Sequence, residues 1–540
     1  MTARCTPASR VGMPSLGMMS VLLVFFFTLF HLPAPLEAQP DFDFLIRGGK
    51  VLDGTGNPWY YADIGIRGDR VVGMGDLSGA TATRVIDARG LYVSPGFIDV
   101  HSHAGPGLAT PGLSAAIPLL TQGITTVMVN PDGGGEVDLV TQRRELLVDG
   151  LGVNVALMVP HGSVRREVLG MEDRAPTSAE LDLMRSLVRA GMEAGAFGLS
   201  SGPYYAPGSF STTDELVDLA RIAAEFGGVY TSHIRDESDY TIGVVAAVDE
   251  VIQVAREAGL PGIVTHIKAL GPRVWGYSQA LVSRIDRARA QGLEIFADQY
   301  PYEASSTGLS AALVPRWAQA GGQEALAARA TDPNIRPQLI AEMHDNLDRR
   351  GGADRLQISR YAENPSIEGQ TLEQVANARR GDPVEVALDL ILAGEGPGVV
   401  SFNMAEGDIR TLMRQPWMMT GSDGTLVPMG SGVPHPRAYG SYPRKIRHYV
   451  LEQEVLDLGA AIRSMTSLPA TVFRVADRGL LREGAIADVV IFDLERIRDR
   501  ATYESPHQLS EGIVQVFVNG GLALEAERVT ADRFGLVLNR

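Results

Sequence analysis

Cysteine is almost absent: 540 residues contain one, Cys5. It lies in an N-terminus where Arg4 and Arg10 precede an apolar stretch from Val21 to Leu32, and Leu36-Glu-Ala38 then offers a small residue for cleavage. This pattern predicts a secretory signal peptide over residues 1–38, cut near Ala38, and hence a periplasmic or secreted protein; an uncleaved anchor is the alternative. Loss of the leader leaves a chain without thiols, which excludes disulfides and thiolate chemistry. Positive charge is also short. With 48 Lys and Arg against 64 Asp and Glu, the formal charge of −16 argues against nucleic acid or an anionic membrane surface as partner. There is no low-complexity tract and no short solenoid repeat.

What is present fits a soluble enzyme: 45% apolar residues, 21% charged, and 60 glycines that suit tight strand-to-helix turns. The length calls for a barrel-sized domain with additions. Residues 39–90 alternate short apolar runs with Gly-rich breaks, as in Asp53-Gly-Thr-Gly56 and Arg67-Gly-Asp69. The runs Ala487–Asp493 and Ile513–Gly520 look alike, so both chain ends are expected to build a small β-sandwich, with 476–540 as its second part. Between them, over 91–475, strand candidates alternate with helical stretches: Phe97–His101, Thr125–Asn130, Asn154–Pro160, Ala196–Ser200, Val229–His233, Ile263–His266, Glu294–Asp298 and Met418–Ser422. This predicts an α/β fold, a (β/α)8 TIM-type barrel, with a helical insertion at about 315–398 before the last strand.

Functional residues of such barrels sit at the C-terminal ends of the strands. His101 and His103 end the first, as i and i+2 on one side of an extended segment. Asp132 follows the second, His233 the fifth, His266 the sixth and Asp423 the eighth. Single histidines are usually structural, but four at one face with two carboxylates point to a divalent metal, zinc or a similar ion.

The order of these pieces resembles the amidohydrolase superfamily, and within it the D-aminoacylase (N-acyl-D-amino-acid deacylase) family. The resemblance rests on His101-Ser-His103, Ser232-His-Ile-Arg-Asp-Glu237, Thr265-His-Ile-Lys268 and Gly421-Ser-Asp-Gly424. It extends through Gly195–Gly202 with Tyr205-Ala-Pro-Gly208, Asp298-Gln-Tyr-Pro-Tyr302 and His435–Arg444. It implies a tightly held metal on His233 and His266, and a weaker second site on His101, His103 and Asp423, the last also the general base. It further implies that Arg437, Lys268 and either Tyr300 or Tyr302 grip the substrate α-carboxylate, with Tyr205 near the acyl group or oxyanion. An arginine fork and a lysine point charge suit a carboxylate, although a surface ion pair is the plainer reading of both. One departure stands out. Typical members carry Asn-Cys-Gly after the second strand; aligned on Thr125-Thr-Val, that cysteine position holds Asp132. A carboxylate can ligate or bridge divalent ions and would make manganese or cobalt plausible beside zinc, unless Asp132 is only a turn residue before three glycines.

The resemblance implies metal-dependent hydrolysis of the linear amide of a small-molecule N-acyl-D-amino acid. A D-residue or isoaspartyl dipeptidase and a cyclic amidase are the alternatives within the superfamily, and a non-catalytic envelope binding protein is the alternative outside it.

Overall fold

The computed structural model describes residues 40–540; the leader, with Cys5 and the expected cleavage point, lies outside the described residues. Eight parallel strands form the frame: Phe97–Asp99 (β1), Ile124–Val129 (β2), Asn154–Leu157 (β3), Gly198–Ser201 (β4), Val229–Ser232 (β5), Gly262–Val264 (β6), Ile295–Gln299 (β7) and Met418–Thr420 (β8). They pair in sequence order, with Val159–Pro160 continuing β3 on to β4. The seam between β1 and β8 is closed beyond their ends, where Ser102–His103 runs parallel to Gly424–Thr425. At the seam itself the buried Tyr442 hydroxyl reaches the carbonyls of Ile98 and Thr420, both at 2.9 Å.

The strands are buried along almost their whole length because both faces are covered. Ile98, Met128, Ala156, Phe197, Val229, Ile263 and Met419 form one buried cluster with Leu468 and Phe473 of the helix Ser467–Phe473. Their neighbours Phe97, Val127, Val155, Tyr230 and Val264 belong to the cluster shared with the surrounding helices. The period-two alternation of a strand makes that split. Thr177 and Glu180 form a reciprocal cap at the start of helix Ser178–Glu193. The helix after β5 begins at Val244 rather than at Tyr240 as the apolar pattern predicts. Asp236 accepts hydrogen bonds from the backbone N–H groups of Ser238 (2.8 Å), Thr241 (2.6 Å) and Gly243 (2.9 Å), which holds this stretch as a loop at the barrel mouth.

Strands from both chain ends join one nine-stranded sheet, in which Tyr92–Pro95 pairs antiparallel with Val489–Phe492. Ile46, Val51, Ile64, Val93, Val489, Ile491 and Phe517 share its apolar cluster. The last residues leave this sheet for the barrel, where Leu538 N–H donates to the Val155 carbonyl (2.8 Å). The insertion before β8 carries helices such as Arg336–Arg349 and Pro383–Leu392. It also holds a three-stranded antiparallel sheet of Ser305–Gly308, Leu356–Arg360 and Gly398–Ser401, so its structure starts at Ser305 and not at 315. Ser-Ser-Thr-Gly is short and polar, and gives no strand signal of its own.

Behind β8, buried Lys445 donates to Thr420 Oγ1 (2.8 Å) and Ser464 Oγ (2.9 Å), with no carboxylate partner among the described residues. Burial pushes its ammonium pKa down to about 7. Between that value and the unfolded value near 10.5, the unfolded chain binds a proton that the folded chain does not, so stability should rise with pH across this window. Compared with Lys445→Met, the wild-type unfolding free energy is expected to climb more steeply between pH 7.5 and 10, by up to about 1.4 kcal/mol per pH unit. Denaturant titrations at several pH values measure this; parallel curves for the two proteins would contradict it.

Candidate metal centre

Loops leaving five of the barrel strands bring four imidazoles and two carboxylates together. Asp132 lies in the middle. Its Oδ1 is 3.3 Å from His101 Nε2 and 3.4 Å from His266 Nε2; its Oδ2 is 3.3 Å from His103 Nε2 and 3.7 Å from His233 Nδ1. Asp423 Oδ1 is 3.1 Å from His103 Nε2 and 3.7 Å from His101 Nε2. The donors fall into two groups, His101, His103, Asp132 and Asp423 in one and Asp132, His233 and His266 in the other. Within each group all donor atoms lie within 4.8 Å of one another. Asp132 is common to both.

Local backbone explains the convergence. Asp132 (φ 57°), His266 (φ 35°) and Asp423 (φ 50°) all adopt left-handed conformations, which turn each side chain inward as its strand ends. Asp298 accepts a hydrogen bond from the His266 N–H (2.9 Å), and the His101 carbonyl accepts one from the Asp423 N–H (2.8 Å). Gly202 is required beside Asp132, because a Cβ there would lie 2.1 Å from the Asp132 carbonyl oxygen.

The chemistry of the donor set fits a divalent ion. Both ring nitrogens of His101 and of His233, and Oδ1 of Asp132, are buried without a hydrogen-bond partner among the described residues. Orphaned polar atoms of this kind are costly unless something completes them. Burial alone would raise the Asp132 carboxyl, yet His101 and His266 hold it well below the usual carboxylate range. Burial lowers His103, but Asp132 and Asp423 outweigh that and raise it to about 9. Histidines and carboxylates suit zinc and harder divalent ions alike.

These groups line one cavity of about 990 Å³, with Lys268, Tyr300, Arg437 and Tyr205 in its walls. The Arg437 guanidinium lies 4.7 Å and the Lys268 ammonium 5.8 Å from the centre of the Tyr300 ring, so both cations flank one aromatic ring. Arg437 Nη1 is 2.8 Å from Asp423 Oδ2, though not aligned for a hydrogen bond. Tyr205 packs on His233 with ring centres 4.5 Å apart, and its hydroxyl is 3.3 Å from Thr307 Oγ1 of the insertion. Tyr302 is the exception. Past the end of β7, Pro301 turns the chain, and the Tyr302 hydroxyl lies 3.5 Å from the Pro436 carbonyl with Arg444 over its ring, outside the cavity. Of the two tyrosines expected to meet a substrate carboxylate, only Tyr300 reaches the cavity.

Sequence reasoning missed Glu237, which is buried against His233, His266 and Lys268. It lies in the quoted stretch Ser232–Glu237, but a glutamate in a polar loop carries no local mark of burial.

Imidazoles and carboxylates gathered at the C-terminal ends of barrel strands define a class of barrel proteins suited to metal-assisted chemistry. Residues 84–523 match the model of the amidohydrolase family. The chain belongs to that family. It is 37% identical to N-acyl-D-glutamate deacylase of Alcaligenes xylosoxydans xylosoxydans, over 93% of this chain and 97% of that protein. To D-aminoacylase of the same organism it is 32% identical, over 93% and 99% respectively. Among solved structures, N-acyl-D-glutamate deacylase from Bordetella bronchiseptica, complexed with zinc and a phosphonate mimic of the tetrahedral intermediate, aligns with a TM-score of 0.78. The alignment has 35% identity and covers 92% of this chain and 100% of that one.

Since Asp132 is shared, Asp132→Ala should strip divalent metal from both groups, whereas His103→Ala should spare the group of His233 and His266. Elemental analysis of the purified variants reads this, and equal metal loss in both would contradict a shared ligand.

Proposed function

We propose that the protein hydrolyses the amide bond of N-acyl-D-amino acids, releasing a carboxylate and a D-amino acid, with zinc or a similar divalent ion held by His101, His103, Asp132, His233, His266 and Asp423. The observation that carries this reading is the meeting, in one cavity, of the histidine–aspartate centre with Arg437, Lys268 and Tyr300. Whole-length likeness to deacylases of N-acyl-D-amino acids supports the choice of substrate. A divalent ion in such a centre supplies Lewis acidity that polarises the scissile carbonyl and acidifies water. The chain's own side chains do the rest. Arg437, Tyr300 and Lys268 take the α-carboxylate and so fix which face of the amide meets the centre. Asp423, which lies 3.1 Å from His103, accepts the proton of the attacking water in this reading and returns it to the leaving amine. Tyr205 borders the acyl side of the cavity.

Asp423→Ala is expected to lower turnover by at least about 10²–10⁴-fold with the fold intact; a variant near the wild-type rate would remove Asp423 from this role. Assayed on N-acetyl amino acids in both configurations, with zinc, manganese or cobalt added, the enzyme should release acetate from the D series. Release from L substrates alone would overturn the substrate assignment. We also propose that residues 1–38 direct export and are removed. The intact mass of the exported protein should then correspond to a start near residue 39, and retention of the full leader would contradict it.

A further inference from the structure

Glu237 faces both histidines of the second group from the side opposite Asp132. Its Oε1 accepts a hydrogen bond from Lys268 Nζ (2.5 Å) and lies 3.2 Å from His266 Nδ1; its Oε2 is 3.6 Å from His233 Nε2. The other nitrogen of each ring, Nε2 of His266 and Nδ1 of His233, faces Asp132 at 3.4 and 3.7 Å. The two rings stand nearly at right angles with centres 4.4 Å apart, and one carboxylate faces both far edges, closely at His266 and without a hydrogen bond at His233.

A neutral imidazole has one N–H and one lone pair. An N–H directed at Glu237 leaves the lone pair facing Asp132, where an ion would sit; the opposite tautomer places a proton there. For His266 the choice is contested, because Lys268 Nζ is also 2.8 Å from Nδ1 and would favour a lone pair at that nitrogen. Glu237 Oε1 lies against both that nitrogen and the lysine, so its negative charge favours an N–H there while it pairs with the lysine. The backbone holds it in place: the Glu237 carbonyl accepts a hydrogen bond from the Leu270 N–H (2.8 Å), and the adjacent Asp236 ties three backbone N–H groups. At 3% exposure, Glu237 has little room to turn away.

We propose that Glu237 is a positioning residue that sets the ring tautomers of His266 and His233, so that both present bare nitrogens at Asp132. This rests on the reading of the site as a metal centre. The alternative role for Glu237 is to balance the buried charge of Lys268 and nothing more.

Zinc affinity, measured by chelator competition on the full-length mature protein, separates the two roles. Glu237→Gln should weaken zinc binding about 10–100-fold, the usual effect of losing a partner behind a ligating histidine. The double variant Glu237→Gln/Lys268→Met leaves no unpaired buried charge to upset folding, and its affinity should stay at least about tenfold below wild type. Selective ¹⁵N labelling of histidine should report N–H at Nδ1 of His266 and at Nε2 of His233 in the zinc-loaded wild type. Recovery of wild-type affinity in the double variant would reduce Glu237 to a charge partner and overturn the proposal, as would the reverse tautomers in the wild type. Failure of the wild type to bind zinc at all would instead overturn the metal-centre reading on which the proposal stands.

Discussion

One carboxylate among four imidazoles is the contact on which the site depends. Asp132 lies 3.3–3.7 Å from His101, His103, His233 and His266, and no other side chain belongs to both donor groups. Its burial would disfavour a negative charge in isolation, but the surrounding histidines hold it ionised. Without that anion, the four rings would lose the one carboxylate that faces them all, leaving Asp423 beside His101 and His103 and Glu237 beside His233 and His266. The same carboxylate stands at the position where the family resemblance leads one to expect a cysteine, so the donors gathered here are oxygen and nitrogen alone.

The rest of the molecule keeps this cluster in register. The inner cluster closed by Phe473 fixes the strands, and Tyr442 stitches the seam at which β1 and β8 fail to pair directly. Beneath the rings, Asp298 holds the His266 backbone, while Asp99 accepts hydrogen bonds from the His101 and Ser422 N–H groups. Burial raises the Asp99 carboxyl to about 6, a cost offset by these two N–H donors and the Ser422 hydroxyl. The insertion adds Thr307 against Tyr205, and the helix Arg437–Arg444 adds Arg437 against Tyr300. The barrel therefore supplies the centre, and segments outside its eight strands supply much of the pocket wall.

Much of this was legible because its signals are local. Apolar runs of strand length, each followed by a histidine or aspartate, located β1, β2, β5, β6 and β8 and their polar ends within a residue or two. Asp132 was legible through alignment on Thr125-Thr-Val. Less legible were features fixed by contacts distant in sequence. Asp236 delays the helix after β5 by capturing backbone N–H groups, which the apolar pattern of that helix does not register. Ser305–Gly308 is a strand only because Gly398–Ser401 lies beside it. Tyr300 and Tyr302 are spaced like residues on one face of a strand, but β7 ends at Gln299, so only Tyr300 reaches the cavity.

The sequence by itself determined the identity of the donors, the absence of any thiol from the expected mature chain, and the placement of each donor at the end of an apolar strand. These follow from residue chemistry and from the period of two that every strand imposes on its neighbours. Only the tertiary structure decided that Asp132 touches all four histidines, which nitrogen each ring turns toward it, and that Glu237 stands behind two of them. Those outcomes depend on closing a barrel across more than three hundred residues and on three site residues held in left-handed conformations. No pattern within a single strand carries that information, because it arises only when the strand ends are brought to one mouth.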